Sequence, residues 1–186
     1  ARLRAFVQGG GALVLTYRTA VKDGDNNLPF GEPAPAGLRD LAGVTVEETE
    51  SLQEEDVFPL VGQRAFEGRT GRGGIFRYML SVQDAEVLYR YGDAFYQDFA
   101  AVTRRRQGDG VVYYLGCGLD GATADALAEA VLEERGIEAV PSAEGVEVVT
   151  RGGRGQRVRM HLNHNACAVE SGGVELEPYG CRVEVL

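Results

Sequence analysis

The sequence is poor in the residues that usually build a metal or redox site. It has three cysteines and only two histidines in 186 residues. Cys117, Cys167 and Cys181 are widely spaced and odd in number, so they match no zinc spacing and set no disulfide framework. The simplest setting for such a chain is reducing and cytoplasmic. Positive charge is also scarce: 19 Lys and Arg stand against 28 Asp and Glu, a net charge of −9. That balance repels phosphate backbones and argues against a nucleic-acid partner. No apolar run is long enough to span a membrane, and no signal peptide is recognisable. A Walker motif, a dinucleotide fingerprint and a Ser-His-Asp set are all missing. What is present is a 44% share of hydrophobic residues, enough for a real core. The length suits one large domain, or one of medium size with a small satellite.

The stretch from Phe6 to Asn27 organises the rest. Leu3, Phe6 and Val7 fall at i, i+3 and i+4, one face of a helix. Gly9, Gly10 and Gly11 end it, since glycine takes the left-handed turn without steric cost. Ala12 to Leu15 then runs apolar without alternation, which predicts a strand covered on both faces, as in the middle of a parallel sheet. Helix, glycines, buried strand and polar loop together read as half of an α/β unit. The loop from Thr19 to Gly37 holds three prolines and lies beyond the strand's carboxyl end, so it is the functional candidate. The helical pattern starts at the first residues without a cap, and the strand expected before it is missing. Both suggest a piece of a longer polypeptide.

Further along, Leu38 to Leu41 makes a helical turn closed by Gly43, and Val44 to Glu48 alternates like a half-exposed strand. Glu47, Glu48, Glu50, Glu54, Glu55 and Asp56 read as a solvated acidic face rather than a cation site. Gly68 to Gly74 is basic and glycine-rich but lacks phosphate-loop spacing; it reads as a flexible turn. Two strands follow, at 75–80 and 86–91. The aromatic run Tyr89, Tyr91, Phe95, Tyr96 and Phe99 belongs to core or interface. Ala101–Arg106 and Val111–Cys117 form a hairpin about a Gly-Asp-Gly turn. The arginines at 104–106 read as solvated or salt-bridging. The helix at 123–135, capped by Asp120 and Thr123, sets Ala124, Leu127, Ala128, Val131 and Leu132 on the sheet. It shows Glu129, Glu133 and Glu134 to water. A linker at 141–145 leads into a tail that alternates throughout and predicts a small antiparallel sheet.

The search for chemistry ends without an active site. Cys117 follows an apolar strand, but the glycines of a nucleophile elbow are replaced by Leu115 and Leu119. The only bases, His161 and His164, lie in the β-rich tail. On a strand and an Asn-rich turn, His161, His164 and Cys167 do not converge on a metal. Neither a metal nor a cofactor is implied.

Several segments carry a family resemblance. FVQGGGALVLTYRTAVKDGDNN, GLRDLAGVTVEE and YGDAFYQDFAAVTRRRQGDGVVYYLGCGLD resemble the trimerisation domain of the family 42 glycoside hydrolases, bacterial β-galactosidases. GVEVVTRGG, MHLNHN and LEPYGCRVEVL resemble the small C-terminal β domain of the same enzymes. The resemblance implies an α/β fold of the class I glutamine amidotransferase type, flavodoxin-like, truncated at its N-terminus and without an active site. It places that domain at 1–141 and an antiparallel β domain at 142–186. The parent enzyme would hydrolyse terminal β-D-galactosides with retention, through two glutamates on a TIM barrel that this segment does not contain. The segment itself would be non-catalytic and would hold subunits in a homotrimer beside the barrel. Phe30, Tyr91 and Phe95, on the Thr19–Gly37 loop and the Tyr89–Phe99 stretch, are the interface candidates. Two rivals remain. One is an amidotransferase-like thiol hydrolase acting through Cys117. The other is a carbohydrate-binding module using Tyr179 and its aromatic neighbours.

Overall fold

A computed structural model describes residues 2–153 and 155–186. The chain divides into two compact units, one ending at Arg135 and the other spanning Gly136–Leu186.

The first unit begins with α1 (Arg2–Gln8), stopped as expected where Gly10 turns left-handed at φ 99°. Strand β1 (Ala12–Thr16) follows. After the long loop come α2 (Arg39–Ala42), closed by Gly43 at φ 71°, then β2 (Val44–Ser51) and β3 (Val57–Gly62). A single 3-10 turn at Arg64–Phe66 leads to β4 (Thr70–Gly74) and β5 (Phe76–Val82). Next are β6 (Glu86–Tyr91), β7 (Ala100–Gln107), β8 (Gly110–Leu115), the two-residue β9 (Gly118–Leu119) and α3 (Gly121–Glu134).

These strands form one nine-stranded sheet with a main path β1-β8-β7-β6-β3-β4-β9; β5 branches from β7 and pairs with β2. Gly116 and Cys117 alone separate β8 from β9 in the chain, yet the two strands sit far apart along the path. The sheet must therefore curl round until it is nearly closed. Only β1 and β8 run parallel. Every other pair is antiparallel.

This overturns the expected α/β, flavodoxin-like layering. A parallel sheet needs a crossover helix for each strand, and here hairpins and bends make most connections. Only α3 is longer than two turns. The apolar run of β1 misled because one parallel pair was read as a whole sheet. In the structure β1 lies at the edge of the sheet, and Val14 is exposed. The strand covered on both faces is β8. Val111 and Tyr113 enter one core cluster, with Phe58, Leu60, Leu88 and Tyr91. Val112 and Tyr114 enter another, with Val7, Leu41, Val44 and Leu80. That double burial explains why Val-Val-Tyr-Tyr shows no alternation.

The Gly68–Gly74 stretch is also not a loose turn. Its second half is β4, paired along its length with β3. The glycines there are steric. A Cβ on Gly73 would meet the Phe58 ring at 2.5 Å, and one on Gly71 would meet Thr123 at 2.7 Å. Helix α3 can approach the sheet this closely only because β4 lacks side chains at those points.

The second unit contains β10 (Val146–Gly153), β11 (Gln156–Asn163), β12 (Val169–Ser171), β13 (Val174–Leu176) and β14 (Cys181–Val185). β10, β11 and β14 make a three-stranded antiparallel sheet, and β12 pairs with β13. The Asn163 side chain donates to the carbonyls of Cys167 and Glu177, both at 2.8 Å, and ties the second pair to β11.

Candidate assembly surface

Two loops of the first unit present bare aromatic rings. The first joins β1 to α2. It is irregular but tied down at many points. Asp23 accepts from the backbone N–H groups of Asp25 and Asn27, both at 2.9 Å. The Ala36 amide donates to Ala20, and the Val46 amide to Ala34, which fastens the loop to β2. Arg4 bridges from α1 to Asp40 and to the Gly37 carbonyl. On this held frame Phe30 is fully exposed, at 105% of its reference area, with Leu28 exposed nearby.

The second loop joins β6 to β7. Successive turns, Tyr96 amide to Asp93 carbonyl and Phe99 amide to Tyr96 carbonyl, both at 2.9 Å, fold it back. Phe95 is 79% exposed and lies edge-on to Tyr96, with ring centroids 4.8 Å apart. Tyr91 is different. It is 1% exposed, its hydroxyl donates to the Tyr78 carbonyl at 2.9 Å, and its ring meets Phe58 edge-on. Tyr91 supports the loop from the core and offers no surface of its own. Among the described residues Phe30 forms no aromatic pair with either of them, so the two tips are separate features.

Arg77 locks the second loop and was not singled out from the sequence. Its guanidinium lies 3.9 Å from the Tyr96 centroid and 4.4 Å from that of Phe58. It pairs with Glu50 at 2.8 Å and Asp93 at 2.9 Å. A buried arginine needs such partners. The signal was there: Arg77 is the one charge in the otherwise apolar strand β5. The neighbouring arginine triplet is salt-bridging. Arg104 reaches Glu86 and Glu134, Arg105 reaches Asp84, and Arg106 reaches Glu134. Glu134 therefore faces the sheet and not water. It also accepts from the Tyr113 hydroxyl, whose pKa is pushed up first by burial and then by that carboxylate.

The candidates for chemistry stay apart. Cys117 is 1% exposed, and burial pushes its thiol up to about 12, with Arg77 opposing weakly. A protonated, enclosed thiol is a poor nucleophile. No histidine lies in its unit. His161 and His164 instead face Glu184 and Glu147, each at 3.3 Å, across diagonal strand positions. Sequence order hid these carboxylates because they come from other strands. No three His, Cys, Asp or Glu side chains converge on a cation site among the described residues. Tyr179 is exposed on a tight turn at φ 54°. One further feature went unseen in the sequence. A groove of about 570 Å³ runs between α3 and β1, lined by Val14, Ile75, Leu119, Val131 and Leu132. It is mostly apolar, and the buried Cys117 lies in its wall without a base beside it.

The first unit thus presents exposed aromatic rings on hydrogen-bonded loops, and no catalytic constellation is gathered among the described residues. The family described as "Beta-galactosidase trimerisation domain" matches residues 1–138. The chain belongs to this family. β-Galactosidase BglY of Alicyclobacillus acidocaldarius is 33% identical over 171 residues, which cover 87% of this chain and 24% of that protein. β-Galactosidase Bga of Halorubrum lacusprofundi is 34% identical over 165 residues, covering 82% and 23%. The chain spans about a quarter of the length of these relatives. Solved structures extend the likeness. The β-galactosidase from Rahnella sp. R3 matches with a TM-score of 0.87 and 25% identity, over 100% of this chain and 30% of that one. The Halorubrum lacusprofundi enzyme matches with a TM-score of 0.80 and 28% identity, over 98% and 28%. No helix among the described residues is long and apolar enough to cross a membrane.

Proposed function

We propose that this chain is the non-catalytic assembly segment of a β-galactosidase, and that it holds copies of the enzyme in a homotrimer. The observation that carries the reading is the trimerisation-domain match over 1–138, on a unit with no reactive centre. Phe30 and Phe95 are the contact residues, because both are large, apolar and bare on loops that are already ordered. Ordered loops lose little conformational freedom on binding, so their aromatic tips can anchor an interface. The parent polypeptide hydrolyses terminal β-D-galactosides on a TIM barrel outside this chain and works in the cytoplasm. Residues 142–186 act as its small C-terminal β domain, and the barrel docks beside this segment.

Light scattering after size exclusion, over a concentration series, tests the assembly step. The expected mass is three times that of the 20.0 kDa chain. A monomer at every concentration rejects self-assembly through this chain.

A further inference from the structure

The strongest charge feature of the first unit runs against the character of the chain. In a protein of net charge −9, a cleft of about 780 Å³ is lined by five arginines, Arg64, Arg90, Arg104, Arg105 and Arg106. Two carboxylates, Asp84 and Glu86, share it. They are already engaged, Glu86 by Arg104 and Asp84 by Arg105. No ion pair among the described residues uses Arg64 or Arg90. Arg64 stands exposed at φ 53°, a left-handed conformation uncommon for a side-chain-bearing residue. Arg90 donates only to the Asp98 carbonyl, at 2.5 Å. The cleft therefore holds unspent positive charge.

The complement lies on the same unit. Between β2 and β3 the chain turns through Gln53-Glu54-Glu55-Asp56. The Asp56 carboxylate accepts from the Gln53 amide at 3.1 Å, and the Asp56 amide donates back to the Gln53 carbonyl at 3.1 Å. The turn is closed on itself, and Glu54 and Glu55 project from it exposed. Neither takes part in an ion pair among the described residues.

Strand register sets the two apart. In the β2–β5 pair, Ser51 sits opposite Phe76 and Val44 opposite Val82. The acidic turn lies beyond the Ser51 end of β2 and just before β3, whereas the cleft is lined by Gln83 to Val87 beyond the Val82 end and by Gln63 and Arg64 beyond the far end of β3. The strand rise separates the two ends by about 20 Å. The turn cannot reach the cleft of its own chain. Two complementary features at opposite ends of one unit are what a head-to-tail contact between copies requires.

We propose that the arginine cleft of one copy receives the Glu54–Glu55 turn of a second copy, head to tail. The inference rests on the self-assembly reading and adds the polar half of the contact. The charges steer and orient the pairing, and the aromatic loops supply apolar area.

The test uses the whole chain and two charge reversals, at the exposed Glu54, Glu55 and Arg64 and the half-buried Arg90. One is Glu54→Arg with Glu55→Arg; the other is Arg64→Glu with Arg90→Glu. Circular dichroism confirms that each is folded. Either reversal alone is expected to weaken assembly at least tenfold in apparent dissociation constant. Combining all four substitutions in one chain restores it, because every contact of a three-membered ring then meets its opposite charge. For the unmodified chain, assembly weakens between 0.05 and 1 M salt, where the screening length falls to about 3 Å. Reversals that leave the oligomer unchanged overturn the proposal and spare the assembly reading. An unmodified chain that stays monomeric overturns both. A cleft that raises the melting temperature with inorganic phosphate, while the reversals leave the mass unchanged, is a small-anion site, and the proposal falls.

Discussion

Single residues decide between scaffold and enzyme, and Cys117 is the sharpest case. Its thiol is enclosed by Phe58, by Gly73 of β4 and by α3, and burial holds it protonated well above neutral pH. Cys167 and Cys181 are exposed. In the folded chain at pH 8, Ellman's reagent is therefore expected to titrate two thiols quickly and the third only after denaturant is added. Three fast thiols would revive the hydrolase reading. The sequence indicated this outcome in part: the missing elbow glycines were readable, and so was the absence of a nearby base. Arg77 was harder to read. Its partners, Glu50, Asp93, Phe58 and Tyr96, come from β2, β3 and the β6–β7 loop, and only tertiary folding gathers them. Tyr91 shows the same limit in reverse. An aromatic on a strand reads alike whether it lines the core or an interface, because alternation reports faces and not what covers them.

At the level of elements, the best-read pieces were those whose signals are local. The cap and the closing glycine belong to α3 itself; the 3.6-residue period placed Leu127 and Val131 against the core, but Ala124 and Ala128, expected on the same face, are exposed. Asp120 accepts from the Thr123 amide at 2.9 Å, as its position before the helix suggested. Hydrogen bonding to Thr123, first to its side chain and then to its amide, holds the Asp120 carboxyl below its ordinary 3.8. The stabilisation is present above that value and fades as pH falls through it and below. Asp120→Ala is expected to cost about 1 kcal/mol at pH 7 by urea denaturation. The gap between the variant and the parent chain should close on acidification below pH 4. A gap that widens in acid would reject the cap. The hairpin of β7 and β8 was equally local. The sheet path was not, because pairing β3 with both β4 and β6 is a long-range choice. Strand β4 illustrates the cost of missing it. Its glycines looked like flexibility and are contact points. Gly73→Ala would drive a methyl into the Phe58 ring and against Cys117, a clash expected to destabilise the chain by about 2 kcal/mol. A neutral result would mean that β4 is as loose as its composition suggests.

On the scale of the whole molecule, the balance of charge and apolar surface bears on assembly. A net charge of −9 keeps copies apart in solution, so any stable contact must overcome a general repulsion. On the proposed reading, exposed aromatics on ordered loops supply what charge withholds. A buried phenylalanine ring contributes about 2 kcal/mol from area alone. Phe30→Ser and Phe95→Ser should leave the fold intact, because both rings stand in solvent and neither belongs to either core cluster. Their melting temperatures should stay within about 2 °C of the parent chain, since exposed substitutions of this kind rarely shift stability by more than about 0.5 kcal/mol. Their assembly should weaken, each by about tenfold or more in the concentration at which the oligomer half-dissociates. The pairing of the two readings is what makes the measurement decisive. A variant with lowered melting and lowered mass has merely lost its fold. One with unchanged melting and lowered mass has lost a contact. If both variants melt and assemble as the parent does, the aromatic loops are not the interface. The contact must then be sought on other exposed apolar surface, such as the groove between α3 and β1.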